Sequence, residues 1–288
     1  MAEPSGLRVL SYLAPSLPER LFLLLAEHLQ RQLGLPVTTR FDSATSGPPV
    51  GGPNPLRRGE ADLAFMCAPS YLRLRSELPP SVDLVPAAPL FDDPRNAGRP
   101  VYFTHVVVRQ DNPARRFQDL RSGCWAYNDE VSLSGWYCLL LELASLGESR
   151  DFFASLVQSG SHLASLRLVA QGEASAAAVD SNTWLWLRQQ RPESLAGLRV
   201  LTSWGPYPVQ PAVFRADLSS ALKRAIAQAL LCLPVSEAQR QELAGVGLLG
   251  FAPVAEQDYL AYAAALTAPG ALQPPGVVAD ESGRLIPY

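Results

Sequence analysis

Charge is sparse in this chain and its apolar runs are short, and each shortage closes off a class of function. Charged residues make up 18% of the 288 positions and leave a formal net charge of −3, with no basic stripe. A nucleic-acid partner is excluded on that ground, because phosphate backbones are held by clustered Lys and Arg. The longer apolar runs, such as Leu21–Ala26 and Ala225–Leu233, fall far short of a bilayer-spanning helix, which needs roughly 20 residues. No membrane insertion is expected. Cys67, Cys124, Cys138 and Cys232 contain no Cys-x-x-Cys pair, and His28, His105 and His162 are widely separated. Neither set has the spacing of a metal site, so the expectation is buried free thiols, no metal and no cofactor. The glycine-rich phosphate loop, the dinucleotide fingerprint and the Gly-x-Ser-x-Gly nucleophile turn are also missing. Residues Met1–Gly6 lack the basic-then-apolar order of a secretory leader. The expected location is periplasmic or otherwise extracytoplasmic if a leader has been removed, and cytoplasmic if not.

What the chain does have is an apolar content of 48%, arranged as alternating strands and amphipathic helices. Leu7–Leu13 reads as a strand. Pro18 opens a helix over Glu19–Gln32, Gly34 stops it, and Val37–Phe41 is the next strand. Strand–helix–strand order predicts parallel pairing through a right-handed crossover. A short helical piece at Leu56–Gly59, strands at Ala61–Cys67 and Val82–Pro86, and a long β-branched run at Val101–Arg109 follow. That last run exceeds an ordinary strand and is read as crossing between two sheets. Beyond it come helices at Trp136–Leu146 and Leu163–Gln171, strands at Ala174–Val179 and Leu198–Ser203, and a Pro-rich return segment, Trp204–Pro211. Helices at Leu218–Leu233, Ser236–Ala244 and Glu256–Ala265 close the sequence, with a surface or fraying tail from Pro269. Residues 58–66 and 171–179 echo one another as helix, Gly, Glu-Ala and apolar strand, which suggests two related lobes.

The chemistry concentrates in Ala126–Tyr137, a strand that turns through Asn128-Asp129 and opens a helix. Ser132 is the expected N-cap, leaving the amides of Leu133, Ser134 and Gly135 without partners inside the helix. Two hydroxyls and three amides, backed by the helix dipole, form a neutral socket for an anion. The structural alternative is that Ser132 only caps its helix.

Ser159-Gly160-Ser161-His162, then Gly172-Glu173-Ala174, then Ala178-Val179-Asp180-Ser181 stand in a distinctive order, with Trp184 beyond. Tyr102-Phe103 precedes Val106-Val107-Val108, and Gly250-Phe251-x-Pro253 is followed by Tyr259. This pattern resembles the phosphonate/phosphite/phosphate-binding proteins of ABC importers over about residues 6–265. The resemblance implies an α/β, two-lobed type II periplasmic-binding-protein-like fold, with two mixed sheets flanked by helices and joined by two crossing strands. Residues 1–104 with 206–288 would form lobe one, and 105–205 lobe two. It implies a monomer that clamps a small oxyanion for an ABC permease. Ser132, Ser134, Gly135 and the Leu133 amide would grip the ligand, with His162 donating to it. Tyr12 and Tyr71 would close the pocket, with Asp180 at a strand end and Tyr207 in the return segment.

Three positions depart from the family pattern: Leu133 replaces a Thr, Ser175 an Asp, and His105 a common acid. Asp180 repels a dianion, so it either orders His162 or meets a proton or amine on the ligand. Ser134, His162 and Asp180 are also the residue types of a nucleophilic triad, without its sequence context. A second reading therefore remains, of a cytosolic binding protein or enzyme using this fold on another small polar metabolite.

Overall fold

Two five-stranded mixed sheets carry the computed structural model, which describes residues 6–267, 277–279 and 285–287. The first half supplies β1 (Leu7–Ser11), α1 (Glu19–Leu33), β2 (Val37–Phe41), β3 (Leu63–Phe65), α2 (Ala68–Arg75), β4 (Val82–Leu84) and β5 (Ala88–Phe91). Helix α1 buries Leu21, Leu24, Leu25 and Leu29 along one side and ends at Gly34. The φ of 66° there is left-handed, and the Gly34 amide closes onto the Gln30 carbonyl. The middle of the chain supplies β6 (Val101–Arg109), β7 (Cys124–Tyr127), α3 (Cys138–Ser145), β8 (Ser155–Gln158), α4 (His162–Gln171), β9 (Ala176–Asp180), α5 (Ser181–Gln190) and β10 (Leu198–Pro208). Last come β11 (Ala212–Arg215), α6 (Ser220–Leu231), α7 (Glu237–Ala244), β12 (Leu248–Ala252) and α8 (Glu256–Thr267).

The first sheet runs β2-β1-β3-β11-β4 and the second, in matching sense, β8-β7-β9-β6-β10. In each, a parallel trio with its earliest strand in the centre meets an antiparallel strand at the third member. One topology is thus used twice, which accounts for the internal echo. Gly59 and Gly172 both take left-handed φ, 67° and 78°, ahead of β3 and β9. The echo fails at the preceding element. Leu56–Gly59 forms turns and not a helix, because the Asn54 side chain accepts from the Leu56 and Arg57 amides and the Pro55 carbonyl from Glu60 and Ala61.

Two further readings are corrected. Val101–Arg109 does not pass from one sheet to the other: it pairs with β10 from Val101↔Pro208 to Arg109↔Leu198, wholly within the second sheet. This follows from β10 continuing to Pro208, through most of what the sequence presents as a Pro-rich return segment. Sheet membership changes instead within 92–100 and 209–211. Helix α2 and the small antiparallel sheet of β5 with β12 were not expected; α2 is short, and β12 carries a bulge at Gly250. The tail from Pro269 lies outside the described residues, apart from an antiparallel pair formed by 277–279 and 285–287.

Candidate functional site

Six parallel strands deliver their carboxyl ends to one region, the arrangement by which open α/β sheets build ligand sites. After β1 come Tyr12 and Ser16; after β2, Asp42–Gly47; after β3, Cys67 and α2. After β7 come Asn128–Gly135; after β8, Ser159–His162; after β9, Asp180–Thr183. The first three loops belong to the first sheet and the last three to the second, so hydrogen bonds between them join the halves.

The Ser-Leu-Ser-Gly turn is buried, with Ser132, Leu133, Ser134 and Gly135 all enclosed. Ser132 Oγ accepts from the Gly135 amide at 3.1 Å, so its hydroxyl does cap the turn. Leu133–Tyr137 is a single π turn leading into α3, wider than the plain α-helical start expected from sequence. Only glycine fits at 135, since an added Cβ would lie 1.8 Å from Asn128 Oδ1. The Leu133 amide donates to the sulfur of Cys67, which reaches across from the first half. Burial pushes the Cys67 thiol up to about 12, so it stays uncharged.

Ser134, His162 and Asp180 converge. Ser134 Oγ lies 3.0 Å from His162 Nε2, and Asp180 Oδ2 lies 3.2 Å from the same nitrogen. Burial alone would raise the Asp180 carboxyl, but the hydrogen bond and charge of His162, with bonds from Thr183, hold it below the usual carboxylate range. Asp180 also caps α5, accepting from the Thr183 amide at 2.6 Å. The Thr183 hydroxyl is 2.9 Å from both Asp180 Oδ2 and the Ser16 carbonyl, and the His162 amide donates to Ser16 Oγ at 3.4 Å. A nucleophilic triad needs the acid on Nδ1 and the hydroxyl on Nε2. Here both sit on Nε2, while Nδ1 is buried with no hydrogen-bond partner among the described residues. The carboxylate thus orients the imidazole, with Nε2 as donor, and leaves Nδ1 uncommitted.

A second bridge between halves is formed by Asp129 and Ser46. Asp129 Oδ2 accepts from the Ser46 hydroxyl (2.6 Å), the Ser46 amide (3.2 Å) and Asn128 Nδ2 (2.8 Å), and Oδ1 from the Val131 amide (3.0 Å). Burial still pushes the Asp129 carboxyl up despite these donors. Sequence reasoning passed over Ser16, Ser46, Cys67, Asn128, Asp129 and Thr183. Their common signal is position just beyond a parallel strand.

The aromatic expectations separate. Tyr12 is buried beside β3, its amide bonded to the Phe65 carbonyl, and it shares an electrostatic neighbourhood with Arg73, which Tyr137 of the π turn also feels. Tyr71 is turned into the first half: its ring packs edge-on against Tyr259 at 5.5 Å and its hydroxyl reaches Glu256 at 3.5 Å. Tyr207 lies in β10 opposite Tyr102, with its hydroxyl on the Cys138 sulfur. The contacts of Tyr71 with Tyr259 and Glu256 lie within the first half.

A family model described as "ABC transporter, phosphonate, periplasmic substrate-binding protein" matches residues 7–259. Among solved structures, the binding protein component of an ABC phosphonate transporter from Pseudomonas aeruginosa superposes with a TM-score of 0.77 at 16% identity, covering 92% of this chain and 86% of that one. PhnD1 from Prochlorococcus marinus, solved with methylphosphonate, gives 0.76 at 18% identity over 92% and 98%. A Xanthomonas citri protein solved with ATP gives 0.66 at 18% identity over 91% and 97%. At these identities the structures establish the shared type II binding-protein fold, while the family match rests on the sequence itself. The chain belongs to the phosphonate periplasmic substrate-binding proteins of ABC transporters, a family of binding components and not of enzymes.

Proposed function

We propose that this chain clamps a small oxyanion of the phosphonate or phosphate class between lobes built on its two sheets, and hands it as a monomer to an ABC permease. The location proposed with this is extracytoplasmic, as for its family. The observation that carries the reading is the buried group of Ser134, His162 and Asp180 around one imidazole nitrogen. It leaves Nδ1 without a hydrogen-bond partner among the described residues, with Asp180 and Ser134 holding the opposite ring nitrogen. Nδ1 of His162 is the ring nitrogen left to meet the ligand. Asp180 is then a positioning residue and does not touch the ligand, which resolves the repulsion anticipated from sequence. The Ser134 hydroxyl and the Ser132–Gly135 turn complete this side, and Tyr12 faces it from the other half. Tyr71 acts through its packing on Tyr259. Closure is favoured by contacts that exist only when the halves meet.

Calorimetric titration with methylphosphonate, phosphite, phosphate and sulfate tests the proposal. The expected outcome is binding of at least one of these anions, weakened at least 100-fold in a Ser134→Ala/His162→Ala variant that still unfolds cooperatively, at a lowered melting temperature because Asp180 loses its partner. Unaltered affinity in the double variant, or no heat with any anion, would reject it.

A further inference from the structure

One face of α2 carries polar groups that the site above leaves unused. Ser70 and Arg73 are three residues apart and so lie on one side of the helix. Ser70 is 1% exposed, and its Oγ, like Arg73 Nε, is buried with no hydrogen-bond partner among the described residues. Both side chains abut the loop after β2. A Cβ on Gly47 would lie 2.2 Å from Ser70 Oγ, and Arg73 Nη2 donates to the Pro48 carbonyl at 2.5 Å. The residue before these two, Ser46, is the one that bridges to Asp129. Tyr12, on the same half, and Tyr137, in the π turn of the other, both feel the Arg73 charge.

Arg73 lacks the carboxylate partner that most half-buried cations here possess, a lack shared by Arg199, which instead bonds two carbonyls, of Asn112 and Ala114. Lys223 pairs with Asp83 at 2.7 Å and Arg215 with Asp217 at 2.8 Å, whereas no carboxylate among the described residues lies within ion-pair distance of Arg73. Glu77, one turn on along the chain, is engaged by Arg57 at 2.6 Å. Burial lowers the Arg73 pKa from its ordinary value, the mark of a cation short of compensation. Withdrawing a guanidinium from water against a single neutral carbonyl is unfavourable by several kcal/mol unless an anion answers it. The planar fork of Arg suits a tetrahedral or carboxylate oxyanion, and a serine hydroxyl beside it can donate to the same group.

We propose that Ser70 and Arg73 of α2 are the first-half contacts to the bound oxyanion, supplying the donor that Leu133 no longer provides on the second half. This rests on the reading that the gap takes an oxyanion. It adds to that reading that the charge on the ligand is met mainly from the first half, by a permanently charged side chain. Binding then depends on salt, and Arg73 ties the ligand to the loop bearing Ser46, so occupancy also favours closure.

The test is calorimetric titration of methylphosphonate into the full chain at low and high salt, for wild type, Arg73→Gln, Arg73→Lys and Ser70→Ala, with Ser134→Ala/His162→Ala alongside. Losing a charge-assisted contact should weaken binding about 10- to 100-fold in Arg73→Gln and remove most of the salt dependence. Arg73→Lys should retain the salt dependence with a smaller loss, and Ser70→Ala should weaken binding about 3- to 10-fold. Melting temperatures of the Arg73 and Ser70 variants without ligand should not fall. Arg73→Gln and Ser70→Ala binding within twofold of wild type, while Ser134→Ala/His162→Ala does not bind, overturns this assignment and leaves the oxyanion reading standing. A wild type that binds no oxyanion overturns both. If Arg73→Gln does not fold, Arg73→Lys and Ser70→Ala decide, and wild-type affinity in both rejects the proposal.

Discussion

At the scale of single residues, His105 shows how surroundings set a protonation state. Its Nδ1 lies 2.8 Å from Ser203 Oγ and its Nε2 3.1 Å from Arg95 Nη2, with Trp184 edge-on at 6.2 Å. Burial first, then the Arg95 charge, lower its pKa to about 4 against the opposing pull of Asp93 and Asp180. The unfolded chain takes up this proton near pH 6.5 and the folded chain near 4, so stability must fall as pH drops through that window. His105→Gln should therefore flatten the pH dependence, sparing about 1–2 kcal/mol of the loss between pH 7 and 5 in urea titrations. Equal slopes in both proteins would place the acid sensitivity elsewhere. Gly135 offers a steric test. Gly135→Ala forces a Cβ into Asn128 Oδ1 and should cost about 2–4 kcal/mol, read as a lowered urea midpoint with anion binding impaired. Ser134, His162 and Asp180 were visible in the sequence because a family pattern marked them. Ser70 and Arg73 were not, since an Arg alternating with leucines looks like any solvated cation until its neighbours are known.

At the scale of elements, the Ser132 cap and the Gly34 stop were legible, because they depend on a few neighbouring residues. Ser219, Ser236 and Ser161 each cap the helix that follows, through bonds of 3.2, 3.2 and 3.1 Å to amides three residues on. Ser219→Ala should lower stability by about 1 kcal/mol with oxyanion affinity unchanged, because α6 stands apart from the site; a change in affinity would tie the helix to closure. Elements whose form depends on distant partners were misread. Residues 133–137 open as a π turn because two amides, of Trp136 and Tyr137, share the Ser132 carbonyl at 3.2 and 3.1 Å while Asn128 crowds Gly135. Val101–Arg109 has the composition of a crossing strand, yet β10 accompanies it to the end.

For the molecule as a whole, the bonds of Ser46 to Asp129 and of Ser16 to Thr183 and His162 hold the two halves together. A hydroxyl bonded to a buried carboxylate contributes about 1–3 kcal/mol to whichever arrangement contains it. Ser46→Ala should accordingly enlarge the ligand-free particle in small-angle scattering and lower oxyanion affinity about tenfold, with saturating anion restoring the compact profile. Identical scattering for variant and wild type would make the bond a local one. The sequence by itself determined the α/β class, the family and the Gly34 helix stop, and hinted at two related lobes, because strand alternation, caps and glycine conformations are written in near neighbours. Tertiary structure alone decided which polar groups meet: Cys67 on the Leu133 amide, Ser46 on Asp129, Tyr71 turned inward, and Arg73 left without a carboxylate. Those outcomes depend on how two sheets bring six strand ends together, and residues so far apart in the chain carry no mark of one another until it has folded.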